Sequence, residues 1–169
     1  MNLHLSLIFA AWLTLLSACG QSGNPVQLNV GATAPAFASV TPEGQAVAYS
    51  ATKGQPTVLR FWADWCKYCE GEMKALAPVI DRHPTDGLVI LAVNVGQDKN
   101  TIAAFMKKLE VPYPALLDEN AAIAKQYGVV GLPTTYFVDR AGIIQAKIVG
   151  EADAATFERQ LQSILPTAK

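Results

Sequence analysis

The sequence predicts an α/β fold in which helices cover both faces of a mixed central sheet. Residues 57–62 (TVLRFW) and 88–93 (LVILAV) have the apolar, β-branched composition of buried strands. Apolar residues at helical spacing follow each of them, and two strand-like segments around a tight turn come later. Alternating strands and helices give parallel pairs, and a closing hairpin adds antiparallel ones, so the sheet is mixed.

The elements follow in chain order from their periodicity and their end signals. Strands are predicted at residues 57–62, 88–93, 115–117, 135–138 and 143–149. Helices are predicted around apolar stripes within residues 73–80, 102–109 and 157–165, and over residues 119–127. The turn at residues 139–142 joins the last two strands as a hairpin. Residues 31–169, about 140 in number, are enough for a single domain with its own core.

The first 18 residues have the character of an export signal. Residues 5–18 are almost entirely apolar. About 14 residues are too few for a spanning helix, which needs about 20, but they suit the apolar region of a signal peptide. The segment ends in LSAC at residues 16–19, which resembles the lipobox of bacterial lipoproteins, where the cysteine is lipidated. An ordinary signal peptide with an incidental cysteine is the alternative.

Residues 19–30 are predicted to be a lipidated cysteine, Cys19, followed by a polar and flexible tether. The protein would then be an exported bacterial lipoprotein that faces the periplasm and reaches the membrane through its lipid anchor. Gly20 follows Cys19, and lipoproteins without Asp at this position are usually sorted to the outer membrane, where the host has one. The formal net charge of −1 and the lack of a basic patch make nucleic acid an unexpected partner.

Cys66 and Cys69 carry the clearest chemical signal of the chain. They are separated by two residues and lie between the first buried strand and a predicted helix. Free N–H groups and the helix dipole at a helix N-terminus stabilise a thiolate, which is the reactive form of cysteine. Half of a zinc site is one alternative, but four ligands would be needed and the second half is missing. An inert disulfide is the other, although so small a loop would add little stability. We therefore predict a redox-active disulfide and no metal.

With these motifs the chain resembles the thioredoxin superfamily, and within it the membrane-tethered thiol–disulfide oxidoreductases of the TlpA/ResA type. The stretches that carry the resemblance are residues 31–37, 61–66, 92–96 and 127–135, and the closing hairpin. W-C-x-x-C followed by G-x-P-T, in this order and spacing, is highly specific for the group. The resemblance implies a thioredoxin-like fold with additional N-terminal strands and a central insertion from about Gln97 to Leu117.

The resemblance also implies roles for residues near the pair. Cys66 would be the more exposed, attacking thiol, and Cys69 would resolve the mixed disulfide. Glu72, one helical turn after Cys69, matches a buried glutamate that is thought to manage protons in related reductases. Lys67 and Tyr68, between the two cysteines, would tune the reduction potential or simply face solvent.

The substrate-binding residues that the resemblance implies are Trp65, Leu132 and Pro133. Pro133 would follow a cis peptide bond and lie against the cysteine pair. The Leu132 backbone would then be free to pair with an extended segment of the substrate, as a strand pairs with a sheet edge.

Two residues depart from the family pattern. Thioredoxins have a buried aspartate six residues before the first cysteine, and this chain has Arg60 there. Because a buried arginine must be paired, we expect Arg60 to pair with Glu72. The family also has a proline five residues after the second cysteine, where this chain has Lys74, and its own helix proline, Pro78, comes later.

Four functions are compatible with these residues. The first is a disulfide reductase for exported proteins, which would need a membrane electron donor of the thiol-reductase type. The second is an oxidase or isomerase on the same scaffold, with a different reduction potential. The third is a thiol peroxidase, although peroxiredoxins place threonine where this chain has Ala63. The fourth is a lipoprotein that binds clients and uses the disulfide as a switch. The family resemblance implies apocytochrome c as one possible client protein. We expect the protein to be a monomer without a cofactor.

Overall fold

The computed structural model of the protein describes residues 28–50, 54–83 and 87–165. The strands are β1 (Phe37–Val40), β2 (Ala46–Tyr49), β3 (Thr57–Trp62), β4 (Val89–Val95), β5 (Ala115–Asp118), β6 (Thr134–Val138) and β7 (Ile144–Val149). The helices are α1 (Cys69–Asp81), α2 (Lys99–Leu109), α3 (Ala122–Gln126) and α4 (Ala154–Gln162). The predicted signal peptide, Cys19 and most of the tether lie outside these residues. No helix within the described ranges is both long and apolar enough to cross a bilayer.

The central sheet has five strands in the order β5-β4-β3-β6-β7. β3, β4 and β5 are parallel to one another, whereas β6 is antiparallel to both of its neighbours. The predicted mixed α/β fold is therefore confirmed. The N-terminal strands β1 and β2 form a separate antiparallel pair, and the hydroxyl of Ser39 in β1 donates to the Leu117 carbonyl of β5.

β3 is buried along its whole length because it lies in the middle of the sheet and both faces are covered. Val58 and Trp62 point into the core cluster that contains α1, α2 and α4, whereas Leu59 and Phe61 point into the cluster on the side of α3. The Trp62 indole stacks on Phe105 of α2 at 4.9 Å between ring centroids. Its N–H also donates to the Ala92 carbonyl of β4, so the end of β3 is held firmly where the cysteine loop begins.

The predicted helix over residues 119–127 is shorter than expected. Asp118 ends β5, and its two carboxylate oxygens accept from the backbone N–H groups of Ile123 and Ala124. Since these bonds cap a helix that starts at Ala122, the chain turns before it becomes helical, and Ala121 takes a positive φ of 55°. The sequence pattern showed the apolar positions of α3 but not this carboxylate cap.

Glu158 connects α4 to the C-terminal end of α1. Its carboxylate contacts Arg82 at 2.7 Å and His83 at 2.9 Å. Partial burial opposes its ionisation, but hydrogen bonds from Arg82, Gln162 and His83 outweigh this and lower the pKa of Glu158 to about 2. Because the pKa of Glu158 is lowered in the folded protein, the ionised carboxylate stabilises the fold above pH 4.5, its usual pKa. This stabilisation is lost as the pH falls toward 2.

We therefore expect Glu158→Gln to reduce the free energy of unfolding at pH 5 by at most about 1 kcal/mol, because the pair is partly exposed. At pH 2.5 the difference from the wild-type protein should be much smaller. Urea unfolding at the two pH values measures it, with Glu151→Gln, at an exposed position, as the control. A difference that is the same at both pH values would contradict the assignment.

Candidate active site

The cysteine pair lies in a turn between β3 and α1. Cys66 and Cys69 form a disulfide with their Cα atoms 5.4 Å apart. The turn is closed by hydrogen bonds from Cys66 N–H to the Ala63 carbonyl and from Cys69 N–H to the Cys66 carbonyl. Cys69 is the first residue of the helix and is fully buried, whereas 6% of the surface of Cys66 is exposed. A reacting sulfur from another molecule therefore reaches Cys66 first.

The Leu132–Pro133 peptide bond is cis, as predicted. β6 begins at Thr134, which pairs with Phe61 near the end of β3, so Pro133 lies at the edge of the sheet from which the cysteine loop leaves. Leu132 is half-buried and packs against the core cluster that contains both cysteines. Among the described residues, neither the N–H nor the C=O of Leu132 has a hydrogen-bond partner. The backbone beside the pair therefore has a donor and an acceptor available.

Exposed apolar side chains occur in both loops at this edge. Trp65 is 69% exposed and Val130, two residues before Leu132, is 78% exposed. Tyr68 is also exposed, and the ammonium group of Lys67 lies 5.2 Å from the centroid of its ring. Val130 was not identified from the sequence, because a single valine in a loop carries no periodic signal.

Arg60 and Glu72 form a buried ion pair beneath the cysteine turn, and the predicted pairing is confirmed. The guanidinium contacts both carboxylate oxygens, with Nη1–Oε1 at 3.0 Å and Nη2–Oε2 at 2.8 Å. The side chains are only 2% and 1% exposed. Nη1 also donates to the Thr135 hydroxyl of β6 at 3.2 Å. The pair therefore connects β3, the first turns of α1 and the strand that follows Pro133.

Tyr113 is a further buried polar side chain near this pair. Its hydroxyl donates to the Met73 carbonyl of α1 at 3.3 Å. Burial raises the pKa of Tyr113 to about 12, while the charge of Arg60 lowers it and that of Glu72 raises it. The phenol is thus protonated at neutral pH and serves as a donor. Sequence reasoning missed it, because Tyr113 lies between two prolines in a segment with no regular pattern.

Gln97 holds the loop that precedes the cysteines. Its side-chain carbonyl accepts from the backbone N–H of Asp64 at 2.9 Å, and its amide donates to the Asp64 carboxylate. Asn94, at the end of β4, donates to the same Gln97 oxygen at 2.9 Å. The start of the predicted insertion therefore contacts the loop of Trp65 directly. This contact was not predicted, since nothing local marks Gln97 as different from other loop residues.

The second departure from the family pattern, Lys74 in place of a proline and Pro78 later in the helix, leaves helix α1 uninterrupted. α1 continues from Cys69 to Asp81 with Pro78 inside it. Lys74 lies on the outer face and pairs with Glu70 at 3.0 Å, and Glu70 also contacts Lys108 of α2 at 2.8 Å. No cluster of three or more His, Cys, Asp or Glu side chains suited to a metal ion occurs in the described part of the chain.

Residues 30–147 match the sequence profile of the AhpC/TSA family. The chain belongs to this family. Its relatives include the thiol-disulfide oxidoreductase ResA of Geobacillus kaustophilus (strain HTA426), which is 32% identical over 163 residues, 93% of this chain and 94% of the relative. ResA of Bacillus subtilis (strain 168) is 30% identical over 139 residues, 82% of this chain and 78% of the relative. The protein is thus a thiol–disulfide oxidoreductase of the ResA-like group.

Solved structures agree with this assignment. A Chlorobium tepidum protein described as a DsbE-type thiol:disulfide interchange protein superposes with a TM-score of 0.75 and 26% identity, covering 82% of this chain and 99% of that one. StoA from Bacillus subtilis superposes with a TM-score of 0.65 and 27% identity, covering 76% and 98%. The thioredoxin-like fold of this oxidoreductase is therefore shared along nearly the whole length of both structures.

Proposed function

We propose that this oxidoreductase reduces disulfides of exported proteins through Cys66 and Cys69. The observation that carries the proposal is the pair itself, in which only Cys66 is reachable and Cys69 lies directly behind it. In the reduced protein the Cys66 thiolate attacks a client disulfide and releases one client thiolate. Cys69 then attacks the Cys66 sulfur, the Cys66–Cys69 disulfide forms and the second client thiol leaves. Two electrons pass to the client in each cycle.

A client segment in extended conformation suits the surroundings of Cys66. The unpaired N–H and C=O of Leu132 support a short strand-like contact next to the reacting sulfur. Trp65, Tyr68 and Val130 offer apolar contact on either side. Backbone pairing is independent of client sequence, so this arrangement supports a reductase with several clients, among which apocytochrome c is the class suggested by the family.

The proposed setting of the reaction is outside the cytoplasm. A signal peptide over residues 1–18 and lipidation of Cys19 would hold the domain near a membrane. The disulfide left after each cycle must be reduced again, and a membrane-bound dithiol donor of the thiol-reductase type would supply the two electrons. Gly20 favours sorting to the outer membrane in hosts that have one, and a donor in the inner membrane would then have to reach the protein across the periplasm. Labelling with a radioactive fatty acid, and its loss in Cys19→Ala, tests the anchor.

The reduction potential of the pair tests the proposed direction of electron flow. The full chain carrying Cys19→Ala is equilibrated with glutathione or dithiothreitol buffers, so that Cys66 and Cys69 hold its only thiols. A reductase is expected to have a potential near or below about −250 mV, because a disulfide that stable is a poor oxidant. A potential near about −120 mV would instead identify an oxidase. The double variant Cys66→Ser/Cys69→Ser, which has no couple, gives the background signal.

A further inference from the structure

The side chain of Arg60 lies at the junction of the elements that build the active site. It projects from β3, which leads into the cysteine turn, and contacts Glu72, three residues after Cys69 in α1. Its other contact is Thr135, two residues after the cis-proline. Thr135 is also its cross-strand partner in the sheet. A single cation thus joins the helix of the resolving cysteine to the strand of the substrate-binding loop.

Both oxygens of the Glu72 carboxylate face this cation, Oε1 in a hydrogen bond from Nη1 and Oε2 in an ion contact with Nη2 that has no hydrogen-bond geometry. Each of its oxygens lies within 3.0 Å of a guanidinium nitrogen, and no other side chain in the described residues donates to it. Tyr113, the nearby phenol, donates to the Met73 carbonyl instead. The titratable and charged groups around Glu72 are therefore Arg60 from β3, Tyr113 from the segment before β5, and the two cysteines at the start of α1.

Moving a proton onto Glu72 would remove the partner of Arg60. Arg60 is almost completely buried and cannot lose its own proton, so it would become an unpaired charge in the core. The loss of one partner from a buried pair is strongly unfavourable, because it leaves the other charge buried without compensation. The geometry thus opposes proton transfer from Cys69 to Glu72.

We propose that Arg60 is a positioning residue that makes Glu72 a fixed counter-ion rather than a proton acceptor for Cys69. The inference rests on the proposed function only in that the pair cycles between disulfide and dithiol. Reduction of the disulfide takes up two electrons and, below the thiol pKa values, two protons, both of which end on the sulfurs. Neither proton passes to Glu72. This role differs from the proton management that the family resemblance implies for Glu72.

The dependence of the reduction potential on pH distinguishes the two roles. We would measure it from pH 5 to 9 on the full chain with Cys19→Ala, using the fluorescence of the tryptophans near the pair. The variants are Arg60→Gln, Arg60→Lys and the double variant Arg60→Gln/Glu72→Gln, which leaves no buried charge unpaired. Glu70→Gln is the matched control, since it makes the same change on the same helix at an ion pair on the surface.

We expect the wild-type protein, Glu70→Gln and the double variant to show the same inflections, all from the thiols. At pH values below the thiol inflections, the equilibrium constant for reduction of the disulfide should change about a hundredfold per pH unit. This corresponds to a change in the reduction potential of about 59 mV for a two-electron couple. Arg60→Gln should add an inflection, because the unpaired Glu72 carboxylate would bind a proton more strongly beside a Cys69 thiolate in the reduced protein than beside the neutral disulfide, and the slope around it should change by up to about tenfold per pH unit. Arg60→Lys, which keeps the positive charge, should remove that inflection.

Two results would overturn the proposal. One is a wild-type inflection that disappears in the double variant, which would make Glu72 the proton acceptor that the family resemblance implies. The other is an Arg60→Gln profile identical to that of the wild-type protein. If Arg60→Gln does not fold, the comparison of wild-type protein and double variant still decides the question. The potential is measurable whether or not the protein reduces clients, so a failure of the proposed function is scored separately in a client-reduction assay.

Discussion

Cys69→Ser is expected to trap client proteins on Cys66 as mixed disulfides, whereas Cys66→Ser is expected to abolish exchange. Cys66 is the residue of the pair with exposed surface, so it forms the first bond, and only Cys69 is placed to break that bond. Removing Cys66 should reduce the rate of disulfide reduction by at least about a hundredfold, as is usual when a nucleophile is lost. A turbidity assay of insulin reduction measures the rate, and non-reducing gels of cells that express Cys69→Ser show the trapped clients.

Lys67→Ala is the control for this pair of variants, since it changes the same turn without removing a sulfur. It should still reduce insulin disulfides and should trap nothing. Trapped clients on Cys66→Ser, with none on Cys69→Ser, would mean that Cys69 attacks first. That result would require the turn to open widely on reduction, because Cys69 is fully buried in the oxidised protein.

Arg60→Ala is expected to destabilise the oxidised protein by about 3–5 kcal/mol, because it leaves the Glu72 carboxylate buried without its cation. The double variant Arg60→Met/Glu72→Leu should lose much less, since apolar side chains of similar size replace both charges. Chemical unfolding with urea at pH 7 measures the free energies. The effects of substitutions at Arg60 and at Glu72 on the free energy of unfolding should therefore be strongly non-additive, as expected for residues in direct contact.

The exposed ion pair between Glu70 and Lys74 on the same helix provides the comparison. Glu70→Ala should change the free energy of unfolding very little, because both side chains of this pair are exposed to solvent. If Arg60→Ala cost as little as Glu70→Ala, the Arg60–Glu72 contact would have no structural importance. A double variant less stable than Arg60→Ala would show that the cost of Arg60→Ala does not come from the unpaired Glu72 carboxylate.

The strongest features of the site could be predicted because they are encoded locally or by a simple physical requirement. The spacing of Cys66 and Cys69 and the apolar run before them define the strand, the turn and the helix start. The contact between Arg60 and Glu72 followed from the need of a buried charge for a partner, and the structure confirms it. The cis bond before Pro133 followed from the family resemblance.

The contacts that could not be predicted join loops that are distant in sequence. Gln97 meets Asp64 only because β4 and β3 are neighbours and end at the same edge of the sheet. Tyr113 reaches Met73 from a segment without periodicity. The length of α3 depended on a carboxylate cap that starts in the preceding strand. In each case the deciding interaction is tertiary, and the local pattern contains no trace of it.

The nearly buried position of Cys66 limits which disulfides are able to react. With 6% of the surface of the residue exposed, Cys66 offers little area to an approaching disulfide. A cystine in the core of a folded domain cannot reach this small area, whereas a cystine at a protein surface or in a chain that has not yet folded can approach it. The protein would therefore select clients by conformation rather than by sequence. A bond formed by mistake in an unfolded chain would be undone, and the same bond in the core of a finished protein would be left intact.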